Sequence, residues 1–222
     1  MTPLRFAEGV TLVGGGALDR ETLALAKARA PVVVAADGGA NWLSAWGEPA
    51  SAVIGDMDSV EDADGWRARG ARVERIAEQE TTDLEKCLYA TEAPFYLGVG
   101  LMGRRFDHTL GALHALLRQP AKRIVLIGEE DVVFLAPPVW RARLEAGARV
   151  SFFPLRPVTG VASEGLVWPI DAIAFAPGVR IGTSNAAADE TVAARFDDFG
   201  MAATVERRFL DAVLDSLTTA EA

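Results

Sequence analysis

The chain has 222 residues, half of them hydrophobic and 24% charged, which is enough apolar material for a packed core and excludes a disordered or fibrous chain. Its 31 acidic residues against 22 basic ones give a net charge of −9, and so argue against nucleic-acid or anionic-membrane binding, because phosphate contacts need Lys and Arg. One cysteine, Cys87, excludes an intramolecular disulfide and a multi-cysteine zinc site.

Residues 1–9 carry Arg5 and Glu8 but no long apolar run, and no stretch approaches the ~18 apolar residues of a membrane span, so a soluble cytoplasmic protein is expected. Short apolar runs predict strands at Val10–Val13, Val32–Ala36, Ala52–Ile54, Arg72–Ile76, Phe95–Val99 and Arg123–Ile127. Helices are expected between them at Asp19–Arg29, Asn41–Trp46, Asp64–Arg69, Asp83–Thr91 and His108–Arg118. Strand and helix alternating in this way imply an α/β unit, a mostly parallel sheet with flanking helices.

The texture changes after about Val133, and Ala136-Pro137-Pro138 reads as a linker. Short β-like segments follow at Arg149–Leu155, Val158–Ser163, Ala172–Phe175, Arg180–Thr183, Thr191–Phe196 and Ala202–Phe209. They suggest a smaller antiparallel β-sandwich, giving domains at 1–138 and 139–222.

Several constellations stand where strands end. In Gly55-Asp56-Met57-Asp58-Ser59, residues i and i+2 of extended chain share a side, so Asp56 and Asp58 can present two carboxylates together. Such a pair is either a solvated acidic turn or an all-oxygen site that suits Mg²⁺. Asp37 ends the strand Val32–Ala36 and opens Asp37-Gly38-Gly39-Ala40-Asn41, either a ligand-approaching turn or an ordinary one with Asn41 as helix cap.

Thr82-Asp83-Leu84-Glu85-Lys86 has capping-box spacing and puts Asp83 and Lys86 on one helix face, where they suit a metal-bound phosphate. Cys87 belongs to the apolar face as a core thiol. Gly100 to His108 delivers Arg104 and Arg105, then Asp107 and His108 at a helix start. These are phosphate ligands with a cap and a possible base, or solvated surface groups. His114 reads as a packing residue, and Gly14-Gly15-Gly16 is an incomplete dinucleotide fingerprint whose N–H groups could face a phosphate.

Taken together, Ala36-Asp37-Gly38-Gly39-Ala40-Asn41, Gly55-Asp56-Met57-Asp58-Ser59, Thr82-Asp83-Leu84-Glu85-Lys86, Gly103-Arg104-Arg105-Phe106-Asp107-His108, Gly165-Leu166-Val167-Trp168-Pro169 and Thr183-Ser184-Asn185 resemble, in order, the motifs of the thiamine pyrophosphokinase family. The resemblance implies an N-terminal α/β catalytic domain, a C-terminal β-sandwich, and a homodimer with active sites at the subunit interface. It implies transfer of diphosphate from ATP to thiamine, giving thiamine diphosphate and AMP.

By the match, Asp56, Asp58 and Asp83 hold Mg²⁺, Lys86 lies near the phosphates, and Asp37 lies near the metal or the attacking hydroxyl. Arg104, Arg105, Asp107 and His108 belong to the ATP side. Trp168 stacks on thiamine, and Ser184 and Asn185 contact its pyrimidine. Arg104 stands where the family often has a second glycine, and Ala186-Ala187-Ala188 follows where it commonly has Glu. The alternatives are diphosphate transfer to another alcohol such as a hydroxymethyl-pterin, a non-catalytic nucleotide sensor, or a nicotinamide oxidoreductase built on Gly14–Gly16.

Overall fold

The structure, a computed structural model, describes residues 2–219. It divides into two compact units between Ala115 and Leu116.

The first unit runs β1 (Leu4–Arg5), β2 (Val10–Val13), α1 (Arg20–Lys27), β3 (Val32–Ala36), α2 (Gly39–Trp46), β4 (Ala52–Gly55), α3 (Ala63–Ala68), β5 (Arg72–Arg75), α4 (Asp83–Ala90), β6 (Thr91–Glu92) and β7 (Tyr96–Val99), and then α5 (Phe106–Arg118) begins. Strands β7-β2-β3-β4-β5 pair in that order, all parallel. Every residue of β2, β4 and β7 is buried, as a sheet covered on both faces requires; that is why these strands read as continuous apolar runs and not as alternations.

Local chemistry sets the helix starts. The Asp19 carboxylate accepts from the Thr22 N–H at 2.7 Å to cap α1, and Asp62 accepts from the Gly65 N–H at 2.8 Å to cap α3. Thr82 and Glu85 form a reciprocal capping box on α4. Because the strands are parallel, the loops after β2, β3, β4, β5 and β7 all leave from the sheet's carboxyl edge, where ligands bind in open α/β sheets.

The second unit holds β8 (Ile124–Ile127), β9 (Asp131–Leu135), β10 (Val139–Arg143), β11 (Arg149–Pro154), β12 (Val158–Glu164), β13 (Ile173–Phe175), β14 (Gly182–Ala186), β15 (Thr191–Phe196), β16 (Met201–Glu206) and α6 (Leu210–Thr218). Its strands form two antiparallel arrays, β14-β11-β16-β9-β8 and β10-β15-β12-β13. Rings from both arrays meet: Phe134 lies 5.5 Å from Trp140, Trp140 lies 6.1 Å from Phe152, and Phe152 lies 5.6 Å from Phe196. Among the described residues no helix is long and apolar enough to cross a membrane.

The fold corrects several expectations. Ala136-Pro137-Pro138 joins β9 to β10 inside the second unit, and Ala136 is buried. The segment 202–209 is no single strand: β16 ends at Glu206, and a 3₁₀ turn, Arg207–Phe209, leads into α6. The strand expected at Arg180–Thr183 begins at Gly182 and reaches Ala186. His114 is exposed, not packed, and Leu110 on the same helix is also exposed.

Candidate active site

Three loops of the carboxyl edge converge on Asp37. Its carboxylate, only 3% exposed, accepts from the backbone N–H groups of Met57 at 3.0 Å and Ser59 at 3.2 Å, and so anchors the acidic loop that follows β4. Asp37 and Met57 both take left-handed backbone, φ 43° and 69°, a conformation that costs energy in side-chain-bearing residues and recurs at functional sites. Asn41 holds the same loop from α2: its Nδ2 donates to the Ser59 carbonyl at 2.8 Å, and its Oδ1 accepts from the Glu61 N–H at 3.1 Å. Asn41 is therefore not the cap of α2, a position held by Gly38.

The result is an acidic cluster. Asp37, Asp56 and Asp58 each offer an oxygen, all within 4.8 Å of one another. Asp56 is fixed on both oxygens, Oδ1 accepting from the Asp58 N–H at 3.1 Å and Oδ2 from Gln79 Nε2 at 2.7 Å. Asp58 accepts from the Ser59 hydroxyl at 2.8 Å. Asp83 is linked to this group through Lys86, whose Nζ lies 3.2 Å from Asp83 Oδ1 and 3.9 Å from Asp56 Oδ2.

Electrostatics separates the acids. Burial, then the charge of Asp83, raises the Asp37 pKa; burial also raises that of Asp83 against the pull of Lys86. The Gln79 hydrogen bond and the Asp58 N–H lower that of Asp56. Lys86 is 2% exposed; burial opposes its charge, but the hydrogen bond and charge of Asp83, with Asp56, outweigh burial and raise its pKa. Three crowded carboxylates with oxygen donors only are the donor set of a hard divalent cation such as Mg²⁺, not of zinc or copper.

A cleft of about 740 Å³ lies beside these acids, lined among others by Asp37, Asn41, Asp83, Arg104, Arg105, Asp107 and His108. That volume suits a small-molecule ligand. Arg105 and Asp107 are exposed partners, 2.5 Å apart, and the pairing lowers the Asp107 pKa and raises that of Arg105. Arg104 has φ 58° and His108 lies in the first turn of α5.

The glycine triplet lines the cleft, but two of its N–H groups are committed to backbone. Gly14 N–H donates to Val99 O at 2.8 Å and Gly16 N–H to Gly100 O at 2.7 Å, while Trp42 Nε1 donates to Gly16 O at 3.0 Å. A Cβ on Gly14 or Gly16 would stand 2.5 or 2.6 Å from Gly100 O, so these two glycines serve close loop packing. The phosphate cradle expected of these N–H groups is not formed by Gly14 or Gly16.

In the second unit Trp168 is 59% exposed, Ser184 is exposed with φ 62°, and Asn185 is buried. Gln79, Ser59 and the loop-holding role of Asn41 escaped the sequence reading. The signal for Gln79 was its place in a polar loop between β5 and the α4 capping box.

The family model described as thiamin pyrophosphokinase, catalytic domain, matches residues 23–127, and that described as thiamin pyrophosphokinase, vitamin B1 binding domain, matches residues 141–198. Thiamine pyrophosphokinase 1 of Oryza sativa subsp. japonica is 32% identical over 158 residues, 63% of this chain and 60% of the rice protein. Its Arabidopsis thaliana counterpart is 30% identical over 163 residues, 65% of this chain and 61% of that protein. The matched stretch thus spans less than two thirds of these relatives. The crystal structure of yeast thiamin pyrophosphokinase shares the fold, with a TM-score of 0.78 at 15% identity, covering 97% of this chain and 94% of that one. With both of its domain models matched, one after the other along the sequence, the chain belongs to the thiamine pyrophosphokinase family.

Proposed function

We propose that this chain transfers diphosphate from ATP to the hydroxyl of thiamine, yielding thiamine diphosphate and AMP. The observation that carries the reading is the Asp37–Asp56–Asp58 cluster beside the cleft, within the segment that matches the catalytic-domain model. Its all-oxygen donors fit Mg²⁺, with Asp56 and Asp58 as ligands, Asp37 close to them, and Asp83 joining through the Lys86 contact. A bound Mg²⁺ would neutralise phosphate charge and orient the phosphate oxygens for displacement.

The protein side of the chemistry follows from where the side chains stand. Asp37, buried at the rim of the cleft and within 4.8 Å of Asp56 and Asp58, is placed close to the metal or to the hydroxyl whose oxygen attacks the β-phosphorus as its proton is lost. The P–O bond to the α-phosphate breaks and AMP leaves. Lys86 ties Asp83 to Asp56 and lies near the phosphates, and Arg104, Arg105, Asp107 and His108 form the nucleotide side of the cleft.

In the second unit, the exposed indole of Trp168 offers a face for the thiazolium cation, with Ser184 beside Asn185 on the pyrimidine side. The functional division is read at 138/139, between the two matched segments, with the sandwich built from the strands that follow. The protein works in the cytoplasm as a homodimer, a state favoured by the exposed Val167, Val179 and Ile181.

The match to a vitamin B1 binding domain supports thiamine over a pterin acceptor and over a sensor without turnover, and the committed N–H groups of Gly14 and Gly16 disfavour a nicotinamide site. Incubation with Mg-ATP and thiamine should release AMP, and Asp56→Asn should cut turnover by orders of magnitude in a folded protein. AMP formed only with another alcohol, or tight ATP binding with none released, overturns the reading.

A further inference from the structure

Ser184 and Asn185 are neighbours in β14 at a break in its regular alternation, where Ser184 takes left-handed backbone (φ 62°) and the register with β11 shifts. The two side chains part at that break: Ser184 is exposed, whereas Asn185 is 5% exposed. The buried amide is spent on the backbone of one residue. Its Oδ1 accepts from the Trp168 N–H at 3.1 Å, its Nδ2 donates to the Trp168 carbonyl at 2.7 Å, and Oδ1 also accepts from the Ala186 N–H at 2.8 Å. Both oxygen lone pairs and one N–H are therefore taken.

These bonds complete a pairing that backbone alone leaves short. The segment before Trp168 runs along the end of β14 and the two residues after it, through Ala188 N–H to Gly165 O at 2.8 Å, a bridge between Leu166 and Ala187, and Val167 N–H to Ala186 O at 2.9 Å. Pro169 follows Trp168 and has no N–H to give. The Asn185 side chain supplies the last rung, gripping the N–H and the C=O of Trp168 together. Fixing both ends of a residue fixes the direction in which its side chain leaves the backbone, and burial strengthens the two bonds. The indole itself stands 59% exposed on this clamp.

We propose that Asn185 is a positioning residue, which touches no substrate and acts by holding Trp168 so that its ring faces the acceptor. The proposal rests on the reading of Trp168 as the aromatic face for thiamine. It also divides the Ser184-Asn185 pair, leaving only Ser184 turned outward to a ligand.

The test is a double-mutant cycle with steady-state kinetics, joined to ¹⁹F NMR of protein carrying 5-fluorotryptophan, the Trp168 resonance being assigned by its loss in Trp168→Phe. Asn185→Ala should raise the thiamine KM on the order of tenfold, leave the ATP KM in place, and shift or broaden the Trp168 resonance. In a Trp168→Ala background it should add nothing further to the thiamine KM.

Equal effects of Asn185→Ala with and without Trp168 would mean direct ligand contact and overturn the proposal, as would an unaltered Trp168 resonance. A Trp168→Ala variant with unchanged thiamine KM would instead overturn the reading of Trp168, and the proposal with it, an outcome visible before Asn185 is changed. If Asn185→Ala does not fold, Asn185→Asp keeps the accepting oxygen and drops the Nδ2 donor; it should show the same pattern with a smaller KM change, and additivity there would equally overturn the proposal.

Discussion

Gly55 makes the space in which Asp37 stands. A Cβ on Gly55 would lie 2.7 Å from the Asp37 Cβ and 2.9 Å from its Oδ1, so the last residue of β4 must lack a side chain for the acid at the end of β3 to turn towards the loop. Gly55→Ala should displace Asp37 and with it the Met57 and Ser59 N–H groups. We expect turnover to fall by about 100-fold and stability by roughly 1–3 kcal/mol, read by AMP release and urea unfolding. Full activity in the alanine variant would contradict this.

Glu78 ties down the loop that carries Gln79. Its carboxylate accepts from the Thr81 hydroxyl, from the Tyr89 hydroxyl at 2.9 Å, and from the N–H groups of Glu80 at 2.7 Å and Thr81 at 3.0 Å. Led by the Thr81 hydroxyl, these bonds lower its pKa from 4.5 to about 2. A depressed carboxylate contributes stability that is present above pH 4.5 and lost as pH falls through about 2. Glu78→Gln should therefore lower Tm near neutrality, and the difference should close as pH drops through that window in calorimetry. A gap that widens on acidification would refute it.

Thr82 caps the helix that presents Asp83 and Lys86. Its hydroxyl accepts from the Glu85 N–H at 3.3 Å, and its own N–H donates to Glu85 Oε2 at 3.0 Å. Thr82→Ala should cost about 1 kcal/mol and loosen the first turn, lowering activity as well, while Thr82→Ser should restore both. Denaturant titration with parallel assays checks the pair.

Trp140 sits at the centre of the second unit's ring cluster, fully buried, and its Nε1 donates to the Ser216 hydroxyl of α6 at 3.0 Å. Ser216→Ala strands that N–H and should cost about 1–3 kcal/mol without changing kcat. A large kcat change at unaltered stability would contradict a purely structural bond.

The parallel strands were legible because β2, β4 and β7 are buried on both faces and announce themselves as unbroken apolar runs. The motif acids were legible for a similar reason, since each follows such a run. What spacing does not carry is the left-handed backbone at Asp37 and Met57, which turns Asp37 into the cluster with Asp56 and Asp58. Nor does it carry the burial of Lys86, a long-range outcome of how α4 packs on β3 and β4. Helix α6 was missed although Leu210, Val213, Leu214 and Leu217 have helical spacing and are all buried, because the preceding β-rich texture was extended through Phe209. Strands β9 and β10 were missed because the proline pair between them looked like the end of a domain.

Lys86 has a wider consequence. An ammonium sealed beneath the surface and shared by Asp56 and Asp83 couples the two acids: neutralising the lysine removes a cation from both, and neutralising either acid weakens the hold on an interior cation. Substitutions at the three positions should therefore not add, and a redesign of this rim has to weigh them as a set.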